Sequence, residues 1–475
     1  MEINLRPGGI EALHIEDLEG IDAGPIDIFR AVRSAPGNAL LLSGGGLDAS
    51  KYSIIGLDPF LIITARGDQV DIVDRGEAIS LKGDPFEALR EILRAFRVDD
   101  GHDDWPLTSG GIGYLGYELG RHIEQLPCTA VDDQGLPDLH FAFYRTLLLH
   151  EHRTGRTRAA SLQVAGDPLG ASAQQNIDDV RAAILDAPGM DPAEAPFVCR
   201  PPVSNFTREA YLESVSRIIR YIIDGDIYQA NLSQRFSTEY GGDPYDLFCR
   251  LFRINPAPFF AYLDPGDFQV ISSSPERFLN VSGSRVETRP IKGTAPRVSD
   301  PATDRQTAEG LLASEKDSAE LSMIVDLLRN DLGKVCRFGS VEVGEHKRLE
   351  AYTNVHHLVS IVTGELRPEM DRIDLIRAAF PGGSITGCPK IRSMEIIDAL
   401  EPNTRGVYTG AIGYIGFDGS MDLNIAIRTS ILKESRLTFN VGGGIVYDSS
   451  PESEYEETLH KAASIMEAIS GGGVR

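Results

Sequence analysis

The chain has 475 residues, 42% of them apolar and 24% charged. This is the composition of a folded globular protein with length for two or three domains, and it excludes wholesale disorder. Acidic residues outnumber basic ones by 70 to 46, a net charge of −24. That excludes a broad phosphate-facing surface for nucleic acid, but not a small anion held by local positive charge or a metal ion. The five cysteines, Cys128, Cys199, Cys249, Cys336 and Cys388, show no C-x-x-C spacing. Neither a cysteine zinc site nor a redox pair is expected, and scattered free thiols fit a reducing compartment. The start, Met-Glu-Ile-Asn-Leu-Arg, has no basic and apolar leader. No run approaches the roughly 20 apolar residues that cross a bilayer, so the expectation is a cytoplasmic protein with no membrane partner.

Residues 1–190 read as β-rich. Asn38 to Ser43, Tyr52 to Gly56, Phe60 to Thr64 and Val70 to Val73 are predicted short strands, broken by Gly and Asp. Pro85 to Phe96 carries Leu89, Ile92, Leu93 and Phe96 at helical spacing. Gly110 to Tyr117 alternates Gly with bulky residues, which suits a strand that another backbone approaches closely. A helix is predicted over Ala173 to Leu185. The Pro-rich stretch 191–204 and the residues just before it read as a connector, and 205–472 as the second region. There Arg208 to Asp224, Pro301 to Gly333, Pro389 to Leu400 and Pro451 to Ser470 are predicted helices, the third with Pro389 at its first position. Strands are predicted at Phe259 to Leu263, Phe268 to Ile271 and Phe278 to Val281. Strands in hairpin-like runs without regular βαβ alternation indicate an α+β fold.

Five stretches carry groups suited to chemistry. Glu276 and Lys292 lie 16 residues apart on or beside strands joined by Ser282-Gly283-Ser284. Paired antiparallel, they form either a wet cross-strand ion pair or a carboxylic acid and an amine facing one cavity. In Glu315 to Asp331, Leu321, Ile324, Val325 and Leu328 form an inward face, and Asp317 and Glu320 lie on another. Glu454, Glu457 and Lys461 share one face of the last helix. Carboxylates from two helices suit Mg²⁺, and equally suit the helix macrodipole and a surface i,i+4 pair. Pro381 to Lys390 is a Gly-rich turn before a helix and is not a Walker loop. Gly442-Gly443-Gly444 interrupts a strand as a bulge or as a backbone nest for a carboxylate. His356 and His357, adjacent on a strand, point opposite ways and do not share a metal.

Taken together and in this order, these segments resemble the chorismate-utilising enzymes over almost all of residues 205–470. The match is looser through Leu40-Leu41-Leu42-Ser43, Tyr52 to Gly56 and Gly110 to Gly120. The resemblance implies two packed antiparallel sheets flanked by helices, a four-layer α/β/β/α arrangement in which both halves of the chain contribute strands. It implies Mg²⁺ on Glu320 and Glu457, with Glu454 close by. Arg428, Tyr414, the amides of Gly442, Gly443 and Gly444, and Lys461 would hold the two carboxylates of chorismate. Ser384, Thr294 of the Pro-Ile-x-Gly-Thr segment and Gln229 would also contact the substrate, His357 matches a catalytic position, and Glu276 matches the general acid for the departing C4 hydroxyl.

Within that segment, Pro290-Ile291-Lys292-Gly293-Thr294, members that aminate carbon 2 usually have Ala where this chain has Lys292. Lys marks the branch that aminates carbon 4 and forms aminodeoxychorismate. Isochorismate-forming members place a water-activating Lys where this chain has Gln229. The implied reaction is therefore amination at carbon 4 by ammonia through a covalent Lys292 intermediate, with a lowered lysine pKa. The rivals are carbon-2 amination and a catalytically silent ligand-binding member. No segment offers a glutaminase nucleophile, so ammonia is expected from a separate glutamine amidotransferase subunit; a pyridoxal-phosphate lyase is also absent. Tryptophan-binding members often have Leu-Leu-Glu-Ser near the N-terminus; here Leu41-Leu42-Ser43 lacks the Glu, and the resemblance does not carry a tryptophan site over.

Overall fold

The structure, a computed structural model, describes all residues except 1, 2, 4, 7, 34, 99–104, 169–170, 188–196 and 471–475. Among the described residues, 23 strands join through shared neighbours into one antiparallel system, with helices outside it. The layering follows from who packs with whom. One core sets Phe86, Leu89 and Ile92 of the helix Pro85–Ala95, and Leu321 and Val325 of Glu315–Gly333, against strand residues such as Phe141 and Leu423. A second sets Ile28, Phe248 and Ile465 of three other helices against strand residues such as Leu40, Phe260 and Phe439. The third is built mainly from strand side chains, among them Ile54, Tyr114, Ala261 and Ile412. Two β layers thus face each other between two helical ones, as expected. They are not separate sheets, because hydrogen bonding continues from one to the other.

The two halves of the chain interleave. Ala39–Leu42 pairs with Phe259–Leu263, and Gly110–Leu115 with Ala411–Gly416. Gly113 shows why the glycine-rich strand is glycine-rich: a Cβ there would lie 2.0 Å from the His140 carbonyl oxygen. Residues 197–204 of the connector form two short strands, Val198–Cys199 and Val203–Ser204, beside Gln229–Gly241; its 191–196 part lies outside the described residues, as do Pro188 and Gly189.

Three expectations change in detail. Tyr52–Arg66 is one strand, because Asp58 at φ 54° and a register shift between Pro59 and Leu61 bend it without breaking it. The helix predicted over Pro301 to Gly333 is two, Pro301–Ala313 and Glu315–Gly333. Ser314 ends the first and caps the second by accepting from the Asp317 amide. Pro389 is the N-cap of Lys390–Leu400 and not its first residue. Among the described residues, no helix is long and apolar enough to cross a membrane.

Gly113→Ala is expected to destabilise the protein by about 3 kcal/mol or more, since the obstacle is backbone and not a movable side chain. A thermal melt reads this directly, and an unchanged melting temperature would refute the account.

Candidate active site

Glu276 sits at a break between the strands Phe268–Ser274 and Arg277–Ser282. Pro275 cannot continue the ladder, and the chain is pinned on both sides of it. The Ser274 hydroxyl donates to the Ile425 carbonyl at 2.6 Å, and the Ile425 amide donates to the Glu276 carbonyl at 3.0 Å. The Glu276 side chain is left buried, at 4% exposure. Burial raises its pKa to about 7, against the opposing pull of the Ser384 hydroxyl, the Lys292 charge and the Ile291 amide.

Arg277–Ser282 turns through Gly283 and pairs antiparallel with Arg285–Arg289. The next strand, Ile291–Pro296, carries Lys292 and pairs with Val355–Glu365. The wet ion-pair reading therefore does not hold. Burial pushes the Lys292 amine below its usual range and Lys461 adds to that, while Glu320, Glu276 and Glu457 oppose it.

The strand Arg436–Ile445 runs between two sets of groups. Gly442, Gly443 and Gly444 lie in regular register opposite Ser233, Leu232 and Asn231, so they form neither a bulge nor a nest. Their value is the absent side chain. A Cβ on Gly444 would lie 2.0 Å from Gln229 Nε2 and 3.3 Å from Lys292 Nζ. A Cβ on Gly443 would lie 3.3 Å from Glu454 Oε2, 3.4 Å from Glu457 Oε1 and 3.7 Å from Lys461 Nζ. Successive strand residues face opposite ways, so the amine and amide approach one side of this bare backbone and the two carboxylates the other. The neighbouring strand Thr429–Lys433 pairs with it only over Arg436 to Phe439.

On the carboxylate side, Glu454 is buried, and the Ser449 hydroxyl donates to its Oε1 at 2.6 Å, leaving Oε2 toward Gly443. Glu457 is half-exposed and pairs with Lys461 at 2.7 Å; the same ammonium donates to the Gly442 carbonyl at 2.9 Å. Burial raises Glu320 and Glu454 above the usual carboxylate range, whereas Lys461 holds Glu457 below it against the same burial. Among the described residues, no three His, Cys, Asp or Glu side chains are gathered into a ready-made metal cage.

His357 is buried, and burial, helped by the Arg428 charge, lowers its pKa to about 3, so the ring is neutral. Its Nδ1 faces the Thr294 hydroxyl at 3.0 Å and the Gly293 carbonyl at 3.4 Å, while Nε2 is buried without a partner. A carbonyl only accepts, so assigning the hydrogen to Nδ1 leaves Nε2 as a lone-pair acceptor. His356 turns the other way, to Asp304 at 3.1 Å. Arg428, at φ 50°, precedes the strand Thr429–Lys433. Its guanidinium makes no salt bridge or hydrogen bond with any described residue, and burial pulls its pKa down. A half-buried cation without a partner is a ready site for an anion. Gln229 Oε1 is fully buried and also unpartnered.

Tyr414 stands apart from this group. It lines a cavity of about 270 Å³ with Leu41, Ser43, Arg277, Asp422 and Asn424, none of which belongs to the cleft just described. The reason is strand alternation: Ile412 and Tyr414 face the inter-sheet core, Ala411 and Ile415 the other side. Tyr352 was not anticipated from the sequence. Its ring meets His357 edge-on at 4.9 Å and its hydroxyl faces the Pro275 carbonyl at 3.4 Å, beside Glu276. Nothing in its local sequence distinguishes it from a core tyrosine.

A family model described as chorismate binding enzyme matches residues 40–467. The chain belongs to this family. It is 39% identical over 434 residues to aminodeoxychorismate synthase component 1 of Escherichia coli K12, covering 91% of this chain and 93% of that protein. It is 37% identical over 460 residues to anthranilate synthase component 1 of Acetivibrio thermocellus, covering 94% and 93%. The crystal structure of anthranilate synthase component I from Streptococcus pneumoniae TIGR4 superposes with a TM-score of 0.77 at 33% identity, over 87% of this chain and 92% of that one. The protein is thus a chorismate-utilising enzyme with the α+β architecture of its family.

The raised pKa of Glu276 sets the direction of a pH effect. The folded protein holds this proton more tightly than the unfolded chain. The contribution to stability is therefore complete below the ordinary 4.5 and is lost as pH rises through about 7. Glu276→Gln is expected to gain stability over the natural protein between pH 5 and pH 8, approaching about 3 kcal/mol. Urea melts across that range measure the gap, and a gap independent of pH would refute the assignment.

Proposed function

We propose that this enzyme aminates chorismate at carbon 4 with ammonia to give 4-amino-4-deoxychorismate, the precursor of 4-aminobenzoate in folate biosynthesis. Relatives of the carbon-2 and carbon-4 kinds align with similar identity, so overall likeness does not separate them. The observation that carries the reading is Lys292. By the resemblance, carbon-2 enzymes usually have Ala at this position; here an amine lies beside Glu276 and the Gln229 amide, and its pKa is lowered.

Two displacements account for that amine. Neutral Lys292 forms a bond to carbon 2 as both ring double bonds shift one position and the C4–O bond breaks. Glu276, which keeps its proton up to about pH 7, gives it to the leaving oxygen, which departs as water. Ammonia then bonds to carbon 4, both double bonds shift back, and the C2–N bond breaks to release Lys292 as a neutral amine. The new ammonium can return a proton to the Glu276 carboxylate, restoring the enzyme. Gln229 brings no base to activate water, which ammonia, already a nucleophile, does not need. Arg428, Lys461 and the bare Gly442–Gly444 backbone suit the two substrate carboxylates, and the His357 Nε2 lone pair suits a substrate hydroxyl.

The donor set also fits Mg²⁺. Glu454 Oε2 and Glu457 Oε1 converge on the space above Gly443, and Glu320 faces them closely enough that Glu457 and Glu320 feel each other's charge. These three would hold the ion, with water and substrate oxygens completing an all-oxygen shell, and it would neutralise a substrate carboxylate. The relatives' designation as component 1 implies a second component, which we assign as a glutamine amidotransferase supplying ammonia.

The test incubates the pure chain with chorismate, Mg²⁺ and ammonium at high pH. A product that added lyase converts to 4-aminobenzoate is expected; fluorescent anthranilate would overturn the reading. Lys292→Ala is expected to abolish that product or divert it to the carbon-2 isomer, and mass spectrometry of the working enzyme is expected to trap an adduct on Lys292. Glu457→Gln is expected to shift the Mg²⁺ titration of activity to higher concentration.

A further inference from the structure

The first turn of Glu315–Gly333 carries Lys316. A cation is out of place there, because the unsatisfied amides of a helix N-terminus repel positive charge. The turn is firmly seated: Ser314 caps it, and Asp317 lies against Gly293, where a Cβ would come within 3.0 Å of the Asp317 side chain. Lys316 is therefore fixed at its base, next to the strand that carries Lys292. Its Nζ stands 4.0 Å from Glu320 Oε1, with the side chain 50% exposed.

Three lysines lie around this carboxylate group, Lys292 across the Gly443–Gly444 backbone from Glu454 and Glu457, and they differ in freedom. Lys461 is tied to Glu457 and to the Gly442 carbonyl. Lys292 is packed beside the Gly444 backbone and Gln229. Lys316 makes no hydrogen bond with any described residue, holds its nearest carboxylate only at 4.0 Å, and has a long flexible stem reaching into solvent.

We propose that Lys316 is a resident counter-cation for Glu320 at the edge of the Glu320, Glu454 and Glu457 group, offsetting part of that group's charge while no divalent cation is bound and swinging into solvent when one binds. This rests on reading those carboxylates as the metal-binding group. A divalent ion entering the cleft then exchanges with a charge already there. Glu320 need not stand unpaired in the empty enzyme, and affinity for metal without substrate is held down.

The test uses the full chain with Mn²⁺ as probe, free ion being counted by electron paramagnetic resonance in the absence of chorismate. Lys316→Met is expected to bind Mn²⁺ about tenfold more tightly, because a like charge a few ångströms away is removed. Lys316→Arg should stay near the natural affinity, as should Lys334→Met, whose lysine pairs instead with Asp331. In the natural protein, saturating Mg²⁺ should increase acetylation of Lys316, read by peptide mass spectrometry. Unchanged Mn²⁺ affinity in Lys316→Met, or unchanged labelling with Mg²⁺, overturns the proposal. If the natural protein binds Mn²⁺ and Glu457→Gln does not, such a failure is of the counter-cation alone. If no variant binds Mn²⁺, the metal reading falls with it.

Discussion

The cleft is organised around an acid and an amine that are both pushed toward their uncharged forms. Burial raises Glu276 and lowers Lys292, and each only partly restores the other's charge. A fully ionised pair in this place would have to overcome the desolvation of two charges. The same burial sets an acid that holds its proton up to about pH 7 beside an amine drawn toward its neutral form. Much of the surrounding structure preserves that arrangement. The glycine strand admits the groups without crowding, and Lys461, locked to the Gly442 carbonyl, adds a cation that further disfavours protonation of Lys292.

The backbone beneath the site is held by a buried ion pair. Arg405 donates to both oxygens of Glu401, at 2.7 and 2.9 Å, and also to the carbonyls of Ile385 and Asn231. Ser233 donates to Glu401 through its amide and hydroxyl. One guanidinium thus ties the turn bearing Ser384 to the strand bearing Gln229. Such a pair is weak evidence for stability by itself, but with its lone pairs and hydrogens satisfied it fixes geometry.

What the sequence revealed depended on the kind of signal. Helices with one apolar stripe, such as Pro85–Ala95 and Pro451–Ser470, were legible because burial leaves a 3.6-residue period. Leu139–Glu151 left no such mark: nearly all of it is buried, so no alternation survives. The fold as a whole became legible through resemblance, which also suggested the roles proposed for Lys292, Glu276 and the glycine strand; spacing alone left the acid and amine either as a wet ion pair or as two groups facing one cavity. Tyr414 shows the limit in the other direction. Its segment has the right wording, but strand parity turns its ring into a different cavity. Tyr352 and Lys316 were invisible because their meaning lies in what is opposite them in space.

The interleaving of the two halves also governs how such a chain can be made. The strands Ala39–Leu42 and Gly110–Leu115 are synthesised early, yet each has a neighbour that leaves the ribosome only much later. Until then their edges are open and sticky. Pairings so distant along the chain close slowly. The N-terminal half is therefore not a module that can mature by itself, and a nascent chain of this design depends on being shielded from its neighbours until its final strands emerge.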